Sequence, residues 1–188
     1  MAVEWSKIAR RIRVPMGFVF AGVYIWLARP TFVSMEWSLL LVLPGLWLRG
    51  YAAGYVKKNA ELTMTGPYAY TRNPLYLGSM MIAFGFAAAS KSIVIVLLLA
   101  VLFAVIYIPV IRSEEAFLRS TFAAFNAYAA IVPRLLPRLR SAPIADDSSD
   151  SERGSFSFSL YRKHREYNAL MGATAIYAVL ALRTIFKH

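Results

Sequence analysis

Hydrophobic residues concentrate in five blocks, separated by connections that contain most of the charges. The blocks cover residues 14–28, 32–48, 75–89, 93–111 and 169–186. Most are slightly shorter than the ~20 residues that cross a bilayer as an α-helix. With 59% hydrophobic residues, 16% charged residues and a mean hydropathy of +0.52, the chain is far more apolar than a typical soluble domain. The pattern predicts an all-α, polytopic integral membrane protein with about five short or tilted transmembrane helices.

The basic residues predict how the helices are oriented. Lys and Arg accumulate on the cytoplasmic side of membrane proteins. If the N-terminus is inside, 17 of the 21 basic residues fall on the inner side. This predicts a cytoplasmic N-terminus and two long cytoplasmic connections, over residues 49–74 and 112–168. The net charge of +11 then reflects membrane topology, and no nucleic-acid partner is predicted because the basic residues form no continuous face.

Composition also divides the chain. Residues 141–159 are rich in serine and acidic residues, which is typical of a flexible linker. The predicted organisation is a membrane core over residues 1–140, this linker, and a segment over residues 160–188 with an interfacial basic stretch and the last transmembrane helix. The chain has no cysteine and only two histidines, so no transition-metal site is predicted.

The stretch TGPYAYTRNPLYLG, residues 65–78, precedes the third block. Asn73 suits the N-cap of a helix and Pro74 suits its first turn. Such a helix directs the positive end of its dipole toward the loop, beside the guanidinium of Arg72, and this predicts a binding place for a carboxylate. The alternative is an aromatic belt of tyrosines at the membrane border, with Arg72 at the headgroup level.

A second polar stretch, IRSEEAFL over residues 111–118, follows the longest block. Glu114 and Glu115 are predicted at the cytoplasmic end of the fourth helix, where acids near hydrocarbon are costly unless they are paired or functional. A solvated helix end is the alternative. The two stretches have complementary charge and the same predicted membrane side, which favours a zwitterionic ligand. Glu36, near the outer turn, is predicted to face solvent.

The run G-P-Y-x-Y-x-R-N-P-L-Y-L-G from Gly66, followed by Glu114-Glu115, Tyr128 and Val-Pro-Arg over 132–134, resembles the isoprenylcysteine carboxyl methyltransferase family and its bacterial relatives. The resemblance implies a membrane enzyme that transfers a methyl group from S-adenosylmethionine to a lipid-bearing acceptor, with a cofactor pocket on the cytoplasmic face. It assigns cofactor binding to Glu61, Leu62, Tyr68, Arg72, Asn73, Pro74, Tyr76, Glu114 and Glu115, and catalysis to Arg72, Arg112 and Glu115. Asn73 stands where the family has histidine.

The identity of the methyl acceptor is not decided at this point. Carboxyl O-methylation of an isoprenylcysteine-like substrate is the favoured interpretation, and N-methylation of a phospholipid of the phosphatidylethanolamine type is the alternative. Two hypotheses belong to other classes: a non-catalytic membrane binding or scaffold protein, and a membrane reductase that uses NADPH. The sequence contains no signal for the oligomeric state.

Overall fold

The computed structural model describes residues 2–56, 61–142 and 155–186, and within these ranges the chain is helical, with no strand. The all-α prediction is therefore confirmed. The helices are α1 (Ala2–Leu27), α2 (Phe32–Ala53), α3 (Pro74–Ala89), α4 (Ile93–Thr121), α5 (Phe125–Ile131), α6 (Phe158–Lys163) and α7 (Tyr167–Ile185).

Each of the five predicted blocks forms a helix. Helices α2, α4 and α7 are long and apolar enough to cross a membrane, whereas α3 and the apolar part of α1 from Pro15 are shorter. The fourth helix differs from the prediction, because it continues past residue 111 to Thr121. Glu, Ala, Phe, Leu and Arg in this extension tolerate or favour the helix. Glu114 and Glu115 consequently lie inside α4, and their prediction as a helix end is wrong.

Helix α4 contains a π-helical turn over Phe103–Tyr107, between the α-helical parts Ile93–Leu102 and Ile108–Thr121. Pro109 provides the physical reason. It has no N–H to donate to the carbonyl four residues earlier, and its ring crowds that turn, so a wider turn is accommodated there. The proline was the signal in the sequence for this irregularity.

The chain forms two compact units. The first comprises residues 1–42, 83–117 and 175–188, and the second comprises residues 43–82 and 118–174. The boundaries fall inside α2, α3, α4 and α7.

Polar bonds between apolar helices stabilise the first unit. The Tyr24 hydroxyl of α1 donates to the Phe86 carbonyl of α3 at 2.9 Å. The hydroxyls of Ser38 in α2 and Tyr177 in α7 are 2.6 Å apart, and the Tyr177 ring lies 4.9 Å from that of Phe86. Hydrogen bonds of this kind, together with close packing, hold membrane helices together where the hydrophobic effect is weak.

In the second unit, α2 and α3 meet at two glycines. A Cβ atom added at Gly45 would lie 2.8 Å from the Gly78 carbonyl oxygen, and one added at Gly78 would lie 2.8 Å from the Gly45 carbonyl oxygen. Small residues permit this close backbone approach. The last glycine of the 65–78 stretch is thus required for helix packing.

The C-terminal part of the chain also packs in the second unit. Arg49 donates from Nε and Nη2 to the two carboxylate oxygens of Glu166, each at 3.0 Å, and from Nη1 to the Ser79 hydroxyl. The Phe156 ring covers Gly54, where an added Cβ would lie 2.3 Å away. Within the predicted linker, Phe156 and Ser157 therefore contact Gly54, while residues 143–154 lie outside the described residues. The division into core, linker and C-terminal segment stays a prediction.

Candidate functional site

The loop over residues 65–74 begins with a backbone conformation that favours glycine. Gly66 has φ of +58°, and an added Cβ would lie 2.6 Å from the Tyr55 ring. A side chain there would suffer both backbone strain and a clash. Pro67 then occupies the first turn of a 3₁₀ helix over Gly66–Ala69, where its missing N–H costs little.

Helix α5 and the segment that follows it hold this loop in place, and we term these contacts the clamp. The Tyr128 hydroxyl donates to the Tyr68 carbonyl at 2.8 Å, and the Arg138 backbone N–H donates to the Tyr70 carbonyl at 3.0 Å. Tyr68 is itself buried. Its side chain is therefore part of the protein interior, which excludes it from an aromatic belt facing lipid.

Arg72 is held at both its backbone and its side chain. Its N–H donates to the Pro133 carbonyl at 2.9 Å, and its Nη1 donates to the Ala129 carbonyl at 3.2 Å. The guanidinium carbon lies 5.9 Å from the centre of the Phe125 ring, within range of a cation–π interaction. The charge of Arg72 is thus fixed at the end of the loop, immediately before α3.

Asn73 occupies the N-cap position, as predicted, and Pro74 is the first residue of α3. The Asn73 carbonyl accepts the Leu77 N–H at 3.0 Å, which is the first hydrogen bond of the helix. Its Nδ2 donates to the Arg134 carbonyl at 3.0 Å. This contact needs a donor and no titratable group, so an amide can satisfy it in place of the family histidine.

A hydrophobic cluster supports the clamp. Its buried members are Phe125, Tyr128, Val132 and Ala142, and Leu62 packs against them. Glu61 is exposed, whereas Lys58, Asn59 and Ala60 lie outside the described residues. Leu62, predicted to approach the cofactor, thus also has a packing role.

The acidic pair lies on α4 in the first unit, whereas Arg72 and Asn73 belong to the second. Glu115 is only 5% exposed, Glu114 is half-buried, and Arg112 is exposed. A buried carboxylate is costly unless its charge is balanced or used. Glu115 is the member of the pair that is shielded from water.

The first unit also contains an apolar groove of about 250 Å³ between α1 and α4. Its walls include part of the π-helical turn, and π turns in α-helices are frequent at functional sites. The groove is lined by Met16, Val19, Phe20, Val23, Leu98, Val101, Leu102, Val105 and Ile106. Because every one of these side chains is apolar, the groove suits a hydrocarbon chain.

The polar cluster of Arg49, Ser79 and Glu166 was not predicted from the sequence. A signal was available, since Arg49 closely follows a long apolar block and a charge in such a place needs a partner. Glu166 is also the one acid in the basic stretch over residues 160–167. Pairing these two residues from the sequence would have required knowing that α7 packs beside α2.

Comparison with known protein sequences places this chain in a family. The sequence model of the phospholipid methyltransferase family matches residues 26–124, more than half of the chain. The chain is 39% identical over 94 residues to the cobalt-zinc-cadmium resistance protein CzcN of Cupriavidus metallidurans. It is 40% identical over 94 residues to the nickel-cobalt-cadmium resistance protein NccN of Alcaligenes xylosoxydans xylosoxydans.

Each of these matches covers 50% of this chain and 43% of the relative. No solved structure matches the chain significantly. The matching family is part of the isoprenylcysteine carboxyl methyltransferase-like superfamily, which confirms the resemblance found in the motifs. The chain belongs to the phospholipid methyltransferase family.

Proposed function

We propose that this protein transfers a methyl group from S-adenosylmethionine to an amphiphile in the membrane, and that a phospholipid amine is the first acceptor to test. Family membership supports the reaction class. The observation that carries the site is the clamp that fixes Arg72 at the start of α3. An isoprenylcysteine-like carboxylate is the alternative acceptor.

The Arg72 region suits one end of the cofactor. S-adenosylmethionine supplies an electrophilic methyl group on a sulfonium, and it also carries a carboxylate and an ammonium group. A guanidinium beside a helix N-terminus provides charge-assisted hydrogen bonding and a favourable dipole for a carboxylate. Because the Arg72 side chain is already held by the Ala129 carbonyl and the Phe125 ring, little side-chain entropy is lost when it binds. We assign the carboxylate to Arg72, with Tyr68, Asn73, Pro74 and Tyr76 forming the surrounding loop.

The charges on α4 suit cationic and anionic groups. Glu115, which is buried, and Glu114 are proposed to bind a cationic group, since a low-dielectric environment strengthens such a pairing. Arg112 lies three residues before Glu115, one turn away along the helix. It is exposed and is proposed to bind a phosphate or carboxylate on the acceptor.

The groove between α1 and α4 is proposed to hold the hydrocarbon chain of the acceptor. Ile106, in the groove, and Arg112 are six residues apart, which corresponds to ~9 Å along a helix. A hydrocarbon chain bound in the groove therefore places the headgroup of the acceptor near Arg112 along the helix axis. The residues of the protein align the reactants and exclude water, which favours a displacement that neutralises charge.

The curated relatives carry names that refer to metal resistance. Within the described residues, no group of three His, Cys, Asp or Glu side chains is arranged to hold a metal ion. Methyl transfer is proposed because it is the reaction class of the matching family.

The decisive assay uses the purified protein in nanodiscs with methyl-labelled S-adenosylmethionine. Phosphatidylethanolamine and a farnesylcysteine derivative are supplied as separate acceptors. An alkali-stable labelled product identifies N-methylation, and an alkali-labile product identifies an ester. Absence of cofactor binding at millimolar concentration would refute the proposal.

Two variants test the assigned charges. Arg72→Ala is expected to weaken cofactor binding, and Glu115→Gln is expected to slow methyl transfer, each by about 10- to 100-fold, because a hydrogen bond to a charged group contributes about 1.5–3 kcal/mol. Glu36→Gln is the matched control, since Glu36 is exposed on α2 and is expected to be silent. Full activity in both test variants would remove these residues from the site.

A further inference from the structure

Residues 133–140, PRLLPRLR, form a loop after α5 that we term the arginine-leucine loop. Leu139 is 100% exposed and Leu136 is 78% exposed. Arg134 and Arg140 are also exposed. Two large apolar side chains and two guanidinium groups therefore project from one short non-helical segment.

Hydrogen bonds on both sides hold the loop in this conformation. The Arg138 N–H donates to the Tyr70 carbonyl at 3.0 Å, and Arg138 Nη1 donates to the Ile131 carbonyl at 3.2 Å. The Thr71 hydroxyl donates to the Leu135 carbonyl at 3.0 Å. The exposure of Leu136 and Leu139 thus belongs to an anchored segment. It is not the fraying of a chain end.

The charge of the surrounding sequence indicates the partner. No acidic residue occurs over residues 116–145, and the loop itself carries three arginines. Basic segments beside membrane helices bind anionic headgroups, and interspersed leucines insert at the boundary between headgroups and acyl chains. An acidic protein surface would match the arginines but would leave the exposed side chains of Leu136 and Leu139 without an apolar phase to enter.

We infer that the arginine-leucine loop docks on the anionic headgroup layer of the membrane, with Leu136 and Leu139 inserted and Arg134 and Arg140 bound to phosphates. The loop backbone is bonded to Tyr70, Thr71 and Asn73. Docking therefore steadies the same residues that form the 65–74 loop. The inference does not rest on the proposed function, because every contact that carries it is independent of methyl transfer.

The absence of cysteine permits a direct test on the full chain. A Leu139→Cys variant is labelled with an environment-sensitive fluorophore and placed in nanodiscs of phosphatidylcholine alone or mixed with phosphatidylglycerol. In the mixed discs we expect the fluorophore emission to shift to the blue and to be quenched by lipids that carry a nitroxide near the headgroup. The partition of the label is expected to fall about fivefold for each arginine changed to glutamine, with Arg134→Gln and Arg140→Gln as test variants.

A label at Leu97→Cys, on the exposed apolar face of α4, is the embedded reference whose emission is expected to be the same in both discs. Size-exclusion chromatography verifies that the arginine variants are folded. Equal solvent access of the Leu139→Cys label in both discs would overturn the inference. Shielding that appears only at high protein density would overturn it as well, because the loop would then be an interface between copies.

Discussion

The hydroxyl of Tyr128 offers a sharp test of the clamp. Tyr128→Phe removes one oxygen atom, which donates to the Tyr68 carbonyl at 2.8 Å inside the protein. The ring remains in place, packed with Phe125 and Val132, so neither a cavity nor a new polar group is introduced. The variant therefore isolates the hydrogen bond from the packing.

The expected magnitude follows from what the substitution leaves behind. A buried carbonyl that loses its donor costs about 1–2 kcal/mol. If the cofactor binds only the clamped loop, this cost lowers the population of the competent state and weakens binding by up to about 5- to 30-fold, the full factor applying where the clamped and released states are nearly balanced. Because Tyr128 acts through the loop, KM for S-adenosylmethionine is expected to rise more than kcat falls, which identifies it as a positioning residue.

Calorimetric titration of S-adenosylmethionine into the nanodisc-bound protein measures this change, and methyl transfer at saturating cofactor measures kcat. Tyr161→Phe is the control, since the Tyr161 ring stacks on Phe158 near Gly50, away from the clamp. Wild-type affinity in Tyr128→Phe would show that the clamp does not control the loop. A loss of kcat at unchanged affinity would also contradict the reasoning, because it would place Tyr128 at the reacting atoms.

Three other predictions test the packing. Gly78→Ala is expected to destabilise the protein by about 1–3 kcal/mol, because its Cβ would meet the Gly45 backbone. Gly172→Ala is the control and is expected to be tolerated, since an added Cβ there has nothing within 4 Å. Thermal unfolding in detergent measures both variants, and equal melting temperatures would refute the contact. Glu166→Gln is expected to lower the stability of the protein by about 1–3 kcal/mol, because it weakens a bidentate, partly buried ion pair with Arg49. A melting temperature equal to that of Glu36→Gln would show that this pair does not stabilise the protein. Val101→Trp is expected to fill the groove and to slow methylation of long-chain acceptors more than that of short-chain acceptors. Leu97→Trp, exposed on the same helix outside the groove, is the control and is expected to have little effect. An equal loss of methylation rate for both chain lengths would show that the groove does not bind the acceptor.

The sequence by itself determined the helices and the start of α3. Five apolar blocks predicted five apolar helices, because burial in lipid requires backbone hydrogen bonds to be satisfied within each segment. Asn73 and Pro74 predicted a helix start within one residue, because capping depends only on neighbouring residues. The position of Arg72 beside that helix start followed from the same local chemistry.

Only the tertiary structure decided what holds those residues. The bonds from Tyr128 and Arg138 to the 65–74 loop join positions about 60 or more residues apart, and no local pattern specifies such a pairing. The burial of Glu115, the contact of Gly45 with Gly78 and the partner of Arg49 likewise depend on how distant helices pack. Capping and hydrophobic periodicity act over a few residues, so they fix where a helix begins and which segments are apolar, whereas side-chain partners are fixed only when the chain folds back on itself.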